Sequence, residues 1–341
     1  MEVYMKALML NGIRDASLQE VPDPPVGPRD VKIKVKECGF CGTDHSVYAG
    51  TLVLPGDFPF YTGHELSGIV EEVGSEVKDI AKGQLVVTNP VCYCGDCYRC
   101  RNGQQHFCER LFELWNPNGG FSEFVVADRQ QVFIVPGGIE PDVAAFTEPV
   151  SVCIHCIDMA GILPGMTVAI TGAGSIGLIL LQIAQRAGAS LVLMTDPIKS
   201  KRELAKKLGA DVVLYPTKED VIAKGFEATG FKGFDVVIEA SGNTTAADQA
   251  FGLTGMKSTL FYFAVFPADV TIPISPFILY TKEMTIKGVF FSPYTFPRAI
   301  NMLKKLDLVS LITHRFELTD SHKSFEAHET GEAVKIMVKC G

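Results

Sequence analysis

The 341-residue sequence predicts a two-domain α/β protein, with a β-rich part followed by a doubly wound parallel sheet. The length agrees with this, since one domain commonly takes about 150 residues. Near Pro149 the pattern changes from short strands and turns to strands that alternate with helices. The alternation stops after Gly288. We therefore expect residues 1–150 and 290–341 to form one domain and residues 151–289 the other.

The first part carries the two-residue period of half-buried strands. Val31, Ile33 and Val35 alternate with lysines, and glycines and prolines on both sides mark turns. Apolar runs at residues 124–126 and 132–135 predict two further strands. This part is therefore predicted to be mostly β.

The second part alternates short apolar runs with longer helical stretches, which predicts a parallel sheet with helices on both faces. Gly188 and Gly209 directly follow two of the helical stretches, where helices commonly end. The predicted strands are residues 168–171, 191–195, 212–214, 236–239 and 260–263, and the predicted helices are residues 176–187 and 200–208.

Composition excludes several classes of function. Apolar residues make up 47% of the chain and charged residues 21%, as in ordinary globular proteins, and the net charge is −8. An acidic chain without a lysine and arginine block is a poor partner for nucleic acid or an anionic membrane. We find no leader pattern at the N-terminus. No run reaches the ~18 apolar residues of a membrane helix, although residues 176–183 come closest. We expect a cytoplasmic protein without nucleic-acid or membrane partners.

A glycine motif between a predicted strand and a predicted helix indicates dinucleotide binding. Gly172, Gly174 and Gly177 have the G-x-G-x-x-G spacing, and Asp196 ends the next predicted strand. The carboxylate of Asp196 would accept hydrogen bonds from ribose hydroxyls and repel a 2′-phosphate, which favours NAD over NADP. Three nearby cations weaken that preference: Lys199, Lys201 and Arg202.

Four cysteines lie in one polar segment with the spacing C-x2-C-x2-C-x7-C: Cys94, Cys97, Cys100 and Cys108. Four thiolates at this spacing can close a tetrahedral zinc site, which would be saturated and therefore structural. A disulfide pair, free thiols or an iron–sulfur cluster are the alternatives.

A second set of candidate metal ligands is scattered. Cys41, His64 and Glu65 lie in glycine-rich surroundings, and Glu148 precedes Pro149 where the two parts join. Catalytic zinc takes three protein ligands and keeps one position open. Spacing alone only suggests such a site, because a lone histidine is more often a satisfied polar residue.

The run Gly63-His64-Glu65-x2-Gly68-x5-Gly74 resembles the signature of zinc-containing medium-chain alcohol dehydrogenases. The cysteine segment and the glycine motif are similar to that family's structural zinc site and coenzyme domain, and the resemblance spans the whole chain. Residues 147–155 and 313–316 are similar to its polyol (sorbitol-type) branch. The resemblance implies a GroES-like catalytic domain, a Rossmann coenzyme domain and a homodimer or homotetramer.

The resemblance also implies roles for single residues. Cys41 and His64 would bind a catalytic zinc, while Glu65 and Glu148 would share the carboxylate role, one as ligand and the other as its replacement or as a water holder. Asp44 would orient His64. The implied cofactor contacts, with those of the glycine motif, are Gly172, Gly174, Ser175, Ile176, Gly177, Asp196, Lys201, Ala264 and Phe290.

The implied reaction is oxidation of a secondary alcohol or polyol to a ketone, with zinc as Lewis acid and NAD as hydride acceptor. Thr43 would take the alcohol proton and pass it toward the cofactor ribose. Ser46 stands where the family often has its relay histidine, and His45 comes one residue early, so His45 becomes the relay candidate. Phe291 replaces an arginine that reads substrate hydroxyls in the sorbitol-type branch, and Ala264 replaces a glycine.

Four other functions remain open at this point. They are a threonine-type amino-alcohol dehydrogenase, a zinc-free NADPH reductase of the same fold, a zinc-ribbon protein that binds nucleic acid, and a NAD-binding protein without catalysis. Asp196 and the intact pair of Cys41 and His64 argue against the second. The net charge of −8 argues against the third.

Overall fold

The computed structural model describes residues 3–52, 58–111 and 119–341. The chain divides into two compact units, one of Met1–Ser151 with Phe291–Gly341 and one of Val152–Phe290. The first unit holds both candidate metal clusters, and the second holds the glycine motif.

The first unit is built mainly from antiparallel strands, in agreement with the sequence. Its seven-stranded sheet has the order β15-β16-β3-β5-β6-β8, with β7 also paired to β3, and a smaller sheet has the order β2-β1-β4. The strands are β1 (Tyr4–Gly12), β2 (Asp15–Pro22), β3 (Asp30–Phe40), β4 (Phe60–Tyr61), β5 (Glu65–Val73), β6 (Leu85–Thr88), β7 (Phe124–Asp128), β8 (Val132–Ile134), β15 (Ile312–Glu317) and β16 (Lys335–Lys339).

Strand β3 is central to this sheet because it pairs with β5, β7 and β16. The alternating residues Val31, Ile33 and Val35 are fully buried and belong to the main core cluster. The antiparallel pairing of β16 with β3 brings the C-terminal segment into the first unit. The helices that the first unit contains or begins are α1 (Gly42–Tyr48), α2 (Tyr98–Arg101), α3 (Pro141–Ala144), α4 (Thr147–Ala160), α10 (Phe296–Met302) and α11 (Lys323–Glu329).

The second unit is a parallel sheet with the strand order β11-β10-β9-β12-β13-β14. Counted within the unit this is 3-2-1-4-5-6, the Rossmann order, so the predicted fold class is confirmed. The elements are β9 (Thr167–Thr171), α5 (Ser175–Ala187), β10 (Leu191–Thr195), α6 (Lys199–Lys207), β11 (Val212–Leu214), α7 (Val221–Ala228), β12 (Phe234–Glu239), α8 (Thr244–Leu253), β13 (Thr254–Tyr262), α9 (Pro276–Lys282) and β14 (Thr285–Gly288).

The ends of these elements follow local chemistry. Gly188 caps α5 in the left-handed conformation, with φ of 108°, which glycine adopts without strain. Strand β13 begins six residues before the predicted residue 260, because its pairing with β12 already begins at Thr254, ahead of the apolar residues of the strand. Periodicity does not detect such a segment.

The helical segment Pro141–Ala160 is long and apolar enough to cross a membrane, by length and composition only. Of its most apolar window, 67% is buried inside the protein, as in a core helix. The most membrane-like segment of the described chain is therefore this one and not residues 176–183.

Candidate functional site

Three of the scattered candidate ligands meet in the first unit. One donor atom each from Cys41, His64 and Glu65 lies within 4.8 Å of the other two. Cys41 follows β3 as the N-cap of α1, and His64 and Glu65 stand at the start of β5. Because β3 and β5 are neighbours in the sheet, the two segments converge. A soft sulfur, an imidazole nitrogen and a carboxylate oxygen are the donors that catalytic zinc takes in proteins.

Asp44 organises this cluster from behind. Its carboxylate accepts the N–H of Cys41 at 3.0 Å, the hydroxyl of Thr62 at 2.9 Å and the N–H of Gly63 at 3.1 Å. Its Oδ1 also lies 3.5 Å from Nδ1 of His64. A carboxylate on one ring nitrogen orients a histidine and leaves the other nitrogen for a metal. The position of Asp44 fits its predicted orienting role.

The charges of the cluster are strongly coupled. Burial alone would lower the pKa of His64, but the carboxylate of Asp44 and the thiol of Cys41 hold it well above its usual value. Burial would likewise raise the pKa of Asp44, yet the imidazole of His64 holds it below its usual value. A histidine ligand must be neutral and a cysteine ligand must be a thiolate, so metal binding at such a site is pH-dependent.

Glu65 is tied to a residue that the sequence analysis did not single out. The ammonium of Lys335, from β16, pairs with Oε2 of Glu65 and donates to the carbonyl of Phe40 at 3.2 Å. The side chains of Lys335 and Glu65 are only 3% and 2% exposed. A lysine within an apolar strand near the C-terminus was the one available signal, because buried lysines are rare without a partner.

Glu148 lies in the first turn of α4 and is buried. In the described part of the chain, the group within 4.8 Å contains Glu65 and not Glu148. Burial, with the nearby carboxylate of Glu65, raises the pKa of Glu148 to about 7, against the opposing influence of His64 and Lys335. The geometry therefore favours Glu65 as the ligand.

The two predicted proton carriers have different surroundings. Thr43 is half-buried and its N–H donates to the sulfur of Cys41 at 3.4 Å, so it adjoins the cluster. The ring of His45 lies 4.9 Å from that of His328, between centroids, and its Nε2 is 3.2 Å from Oε1 of Glu329. His45 thus contacts α11, and its relay role stays a prediction.

The four cysteines of the polar segment form a second cluster: Cys94, Cys97, Cys100 and Cys108. Their side chains are thiols rather than disulfides, and the sulfur of Cys94 lies 3.9 Å from that of Cys100 and 3.7 Å from that of Cys108. A tetrahedron with Zn–S bonds of about 2.3 Å has edges of about 3.8 Å. The geometry therefore fits one tetrahedral metal.

Backbone N–H groups point at these sulfurs. The N–H of Cys97 donates to Cys94 at 3.3 Å, and that of Arg110 donates to Cys108 at 3.4 Å. The N–H groups of Glu109 and Cys100 lower the pKa of Cys97 to about 6, whereas burial raises the pKa of Cys100. Such donors stabilise the thiolate form that binds metal.

The glycine motif lies between β9 and α5, where the strand order of the second sheet reverses. Gly172 has a φ of 100°, and a Cβ on Gly177 would overlap the carbonyl oxygen of Gly172. Gly174 is the N-cap of α5, whose first N–H groups can receive phosphate. Among the described residues, no hydrogen-bond partner reaches the buried Oγ of Ser175. An orphaned hydroxyl beside a glycine turn fits a bound dinucleotide.

Asp196 follows β10 and is 6% exposed. Its carboxylate accepts the N–H groups of Ala173 and Ile198, both at 2.8 Å, so it also anchors the glycine loop. Sequence analysis missed Tyr215, whose ring lies 4.1 Å from the guanidinium of Arg202. The other predicted cofactor contacts follow strands at the same edge of the sheet or lie in its helices: Ile176 and Lys201 in α5 and α6, Ala264 after β13 and Phe290 after β14.

Comparison with known proteins agrees with this geometry. Residues 27–137 match the alcohol dehydrogenase GroES-like domain family, and residues 175–305 match the zinc-binding dehydrogenase family. An L-threonine 3-dehydrogenase of Pyrococcus horikoshii is 34% identical over 94% of each chain. An L-idonate 5-dehydrogenase of Vitis vinifera is 32% identical over 97% of this chain and 93% of its own. A sorbitol dehydrogenase of Bacillus subtilis is 30% identical over 98% of this chain and 97% of its own.

A solved structure has the same fold throughout. A zinc-binding dehydrogenase from Sinorhizobium meliloti, bound to NADP, has a TM-score of 0.94 and 34% identity, over 99% of this chain and 100% of its own. Fold and clusters together define an oxidoreductase with a zinc-binding unit and a nicotinamide dinucleotide unit. The chain belongs to the zinc-containing medium-chain dehydrogenase family, whose members act on alcohols.

Proposed function

We propose that this protein oxidises a secondary alcohol or polyol to the ketone, with NAD as hydride acceptor. The convergence of Cys41, His64 and Glu65 within 4.8 Å is the observation that carries the proposal. When bound, zinc and the nicotinamide supply the Lewis acid and the hydride acceptor of this reaction. Three protein donors leave a fourth position for the alcohol.

The chain's own residues position the substrate and move the proton. Asp44 fixes the ring of His64, and its bonds to Cys41 and Thr62 hold the turn that carries the thiol. Thr43, whose backbone N–H donates to the sulfur of Cys41, would accept the proton of the alcohol at its hydroxyl oxygen and pass its own hydroxyl proton on toward the cofactor ribose. Thr43→Ala should therefore lower kcat by about 10² or more, while Thr43→Ser keeps most of it, because proton transfer contributes 10²–10⁴. Equal loss in both variants would contradict this role.

NAD is preferred over NADP in this proposal because of Asp196. Its buried carboxylate follows β10, where it would meet the ribose hydroxyls and repel a 2′-phosphate. Two observations favour NADP instead: Arg202 lies nearby, and the Sinorhizobium meliloti relative has NADP bound. Asp196→Asn should lower the ratio of kcat/KM for NAD to that for NADP about tenfold, the equivalent of ~1.4 kcal/mol. Asp220→Asn, at the N-cap of α7, is the control.

A second candidate substrate is an amino alcohol such as L-threonine. The 34% identity with the L-threonine 3-dehydrogenase of Pyrococcus horikoshii favours it. The sorbitol and idonate dehydrogenases, at 30% and 32% identity, favour a polyol. Reduction of NAD is to be measured with a panel of polyols, simple secondary alcohols and L-threonine. Turnover of L-threonine alone would replace the polyol assignment, and no turnover with any of them would contradict the proposal.

We also propose that the cysteine cluster holds a second, structural zinc. Four thiols with S···S distances of 3.7 and 3.9 Å support this. Four sulfur ligands saturate zinc, so this site would stabilise the segment from Cys94 to Cys108 and take no part in the reaction. We call this segment the cysteine lobe.

A further inference from the structure

We propose that Lys335 is a positioning residue of the three-donor cluster: it occupies Oε2 of Glu65, so that Glu65 offers a metal only one oxygen and a coordination position stays open. The inference rests on the proposed function in one respect, that Cys41, His64 and Glu65 bind the catalytic metal. The relevant contact is the buried ion pair between β16 and β5.

The ammonium of Lys335 is held on several sides. It pairs with Glu65, donates to the carbonyl of Phe40 at 3.2 Å and lies 5.9 Å from the ring centroid of Phe146. Both members of the pair are almost completely buried. A buried ammonium with these partners keeps one arrangement, since leaving the carboxylate would strand two charges away from water.

The backbone beneath the pair is shaped to receive it. Gly39 in β3 lies directly opposite Glu65 in β5. A Cβ on Gly39 would overlap Oε2 of Glu65 and lie 3.0 Å from Cε of Lys335. The carboxylate is therefore seated over a glycine, and any larger residue at position 39 would disturb its pairing with Lys335.

The ion pair of Lys335 and Glu65 also affects the net charge of the three-donor cluster. A thiolate on Cys41 and a carboxylate on Glu65 would neutralise a divalent zinc, and the acid of Glu148 lies close enough to interact with Glu65. The ammonium of Lys335 interacts with all three acids. Without it, both oxygens of Glu65 could bind the metal, and the centre would become more negative and more nearly saturated.

Cobalt(II) in place of zinc reports the number of ligands directly. The d–d absorption of four-coordinate cobalt is several-fold more intense than that of five-coordinate cobalt. We would record spectra of the cobalt-loaded protein and subtract that of Cys41→Ser, in which only the cysteine lobe contributes. Lys335→Met should lower the remaining d–d intensity several-fold and tighten zinc binding several-fold in a chelator competition. Lys335→Arg, which keeps the charge, should restore the spectrum of the natural chain.

Two further variants keep the test decisive. Lys339→Met, in the same strand but paired with Glu317 at 3.9 Å on the surface, should leave the spectrum unchanged. Gly39→Ala keeps the lysine but places a methyl group against both members of the ion pair, so it should reproduce the loss of intensity even if Lys335→Met does not fold. An unchanged spectrum in Lys335→Met would overturn the role of Lys335. If Lys335→Met does not fold, an unchanged spectrum in Gly39→Ala would do the same. A spectrum of Lys335→Arg that differs from that of the natural chain would also overturn it. Absence of any thiolate-to-cobalt band beyond that of the lobe would instead overturn the proposed function.

Discussion

The three-donor cluster and the cysteine lobe of the first unit are built in opposite ways. The lobe draws four identical donors from one short segment and surrounds them with backbone N–H groups. The three-donor cluster joins different donors from the N-cap of α1 and the start of β5, and charged side chains hold it: Asp44 behind His64, and Lys335 behind Glu65. The first arrangement saturates a metal without further help. The second would leave a metal with one open position, which is what the proposed catalytic role requires.

The largest expected effect is the loss of turnover on removal of an imidazole from the three-donor cluster. His64→Ala should lower kcat/KM by a factor on the order of 10³ or more, because a Lewis-acid metal supplies several kcal/mol of transition-state stabilisation. Binding of NADH, measured by fluorescence titration, should change little, since the glycine motif lies in the other unit. His322→Ala, an exposed histidine, is the control. Activity equal to that of the natural chain would remove His64 from the site.

The second-largest expected effect is a loss of stability when a ligand of the cysteine lobe is replaced. Cys100→Ser should lower the free energy of unfolding by a few kcal/mol, because bound metal contributes to folding of its segment. The alcohol-dependent activity of the folded fraction should persist. Cys92→Ser, in the same segment but outside the four donors, serves as the matched control in thermal unfolding. A variant with unaltered melting and full zinc content would contradict a structural role for the lobe.

A third comparison tests which glutamate, Glu65 or Glu148, is the metal ligand. Glu65→Gln should weaken zinc binding at the three-donor cluster by about 10² or more, beyond what outer partners of a ligand usually contribute. Glu148→Gln should change it by less than about tenfold, because Glu148 stands outside the 4.8 Å group. Chelator competition in a Cys100→Ser background isolates this site. The reverse order of effects would make Glu148 the ligand.

The smallest effects concern the carboxylates next to the two clusters. Asp44→Asn should weaken zinc binding by about 10- to 100-fold, since Asp44 is buried and orients His64. Asp96→Asn should have a smaller effect on the lobe, because Asp96 is exposed and the backbone N–H groups remain. Similar losses in both would show that the two clusters depend equally on neighbouring charges.

The sequence predicts those parts of the fold and site that depend on residues close together in the chain. The Rossmann unit follows from strand–helix alternation, and the lobe and the glycine motif follow from fixed spacing. Strand β14 and the early start of β13 were not predicted, because short polar strands owe their structure to pairing with neighbours.

What the sequence does not predict are contacts between distant segments. The pair of Glu65 and Lys335 joins residues far apart in the chain through the order of strands β16, β3 and β5. The stacking of Arg202 on Tyr215 joins α6 to the residue that follows β11, the next element along the chain, and no motif announces it. The choice of Glu65 over Glu148 also needed distances rather than motifs.

The central claim is that the chain holds two metals in two differently built clusters, of which one is catalytic. The most direct test is zinc content per chain, measured by mass spectrometry of digested protein, for the natural chain, His64→Ala, Cys100→Ser and the double variant. The account predicts two, one, one and no zinc, with activity lost only where His64 is replaced. One zinc in the natural chain, retained in His64→Ala and lost in Cys100→Ser, would contradict it.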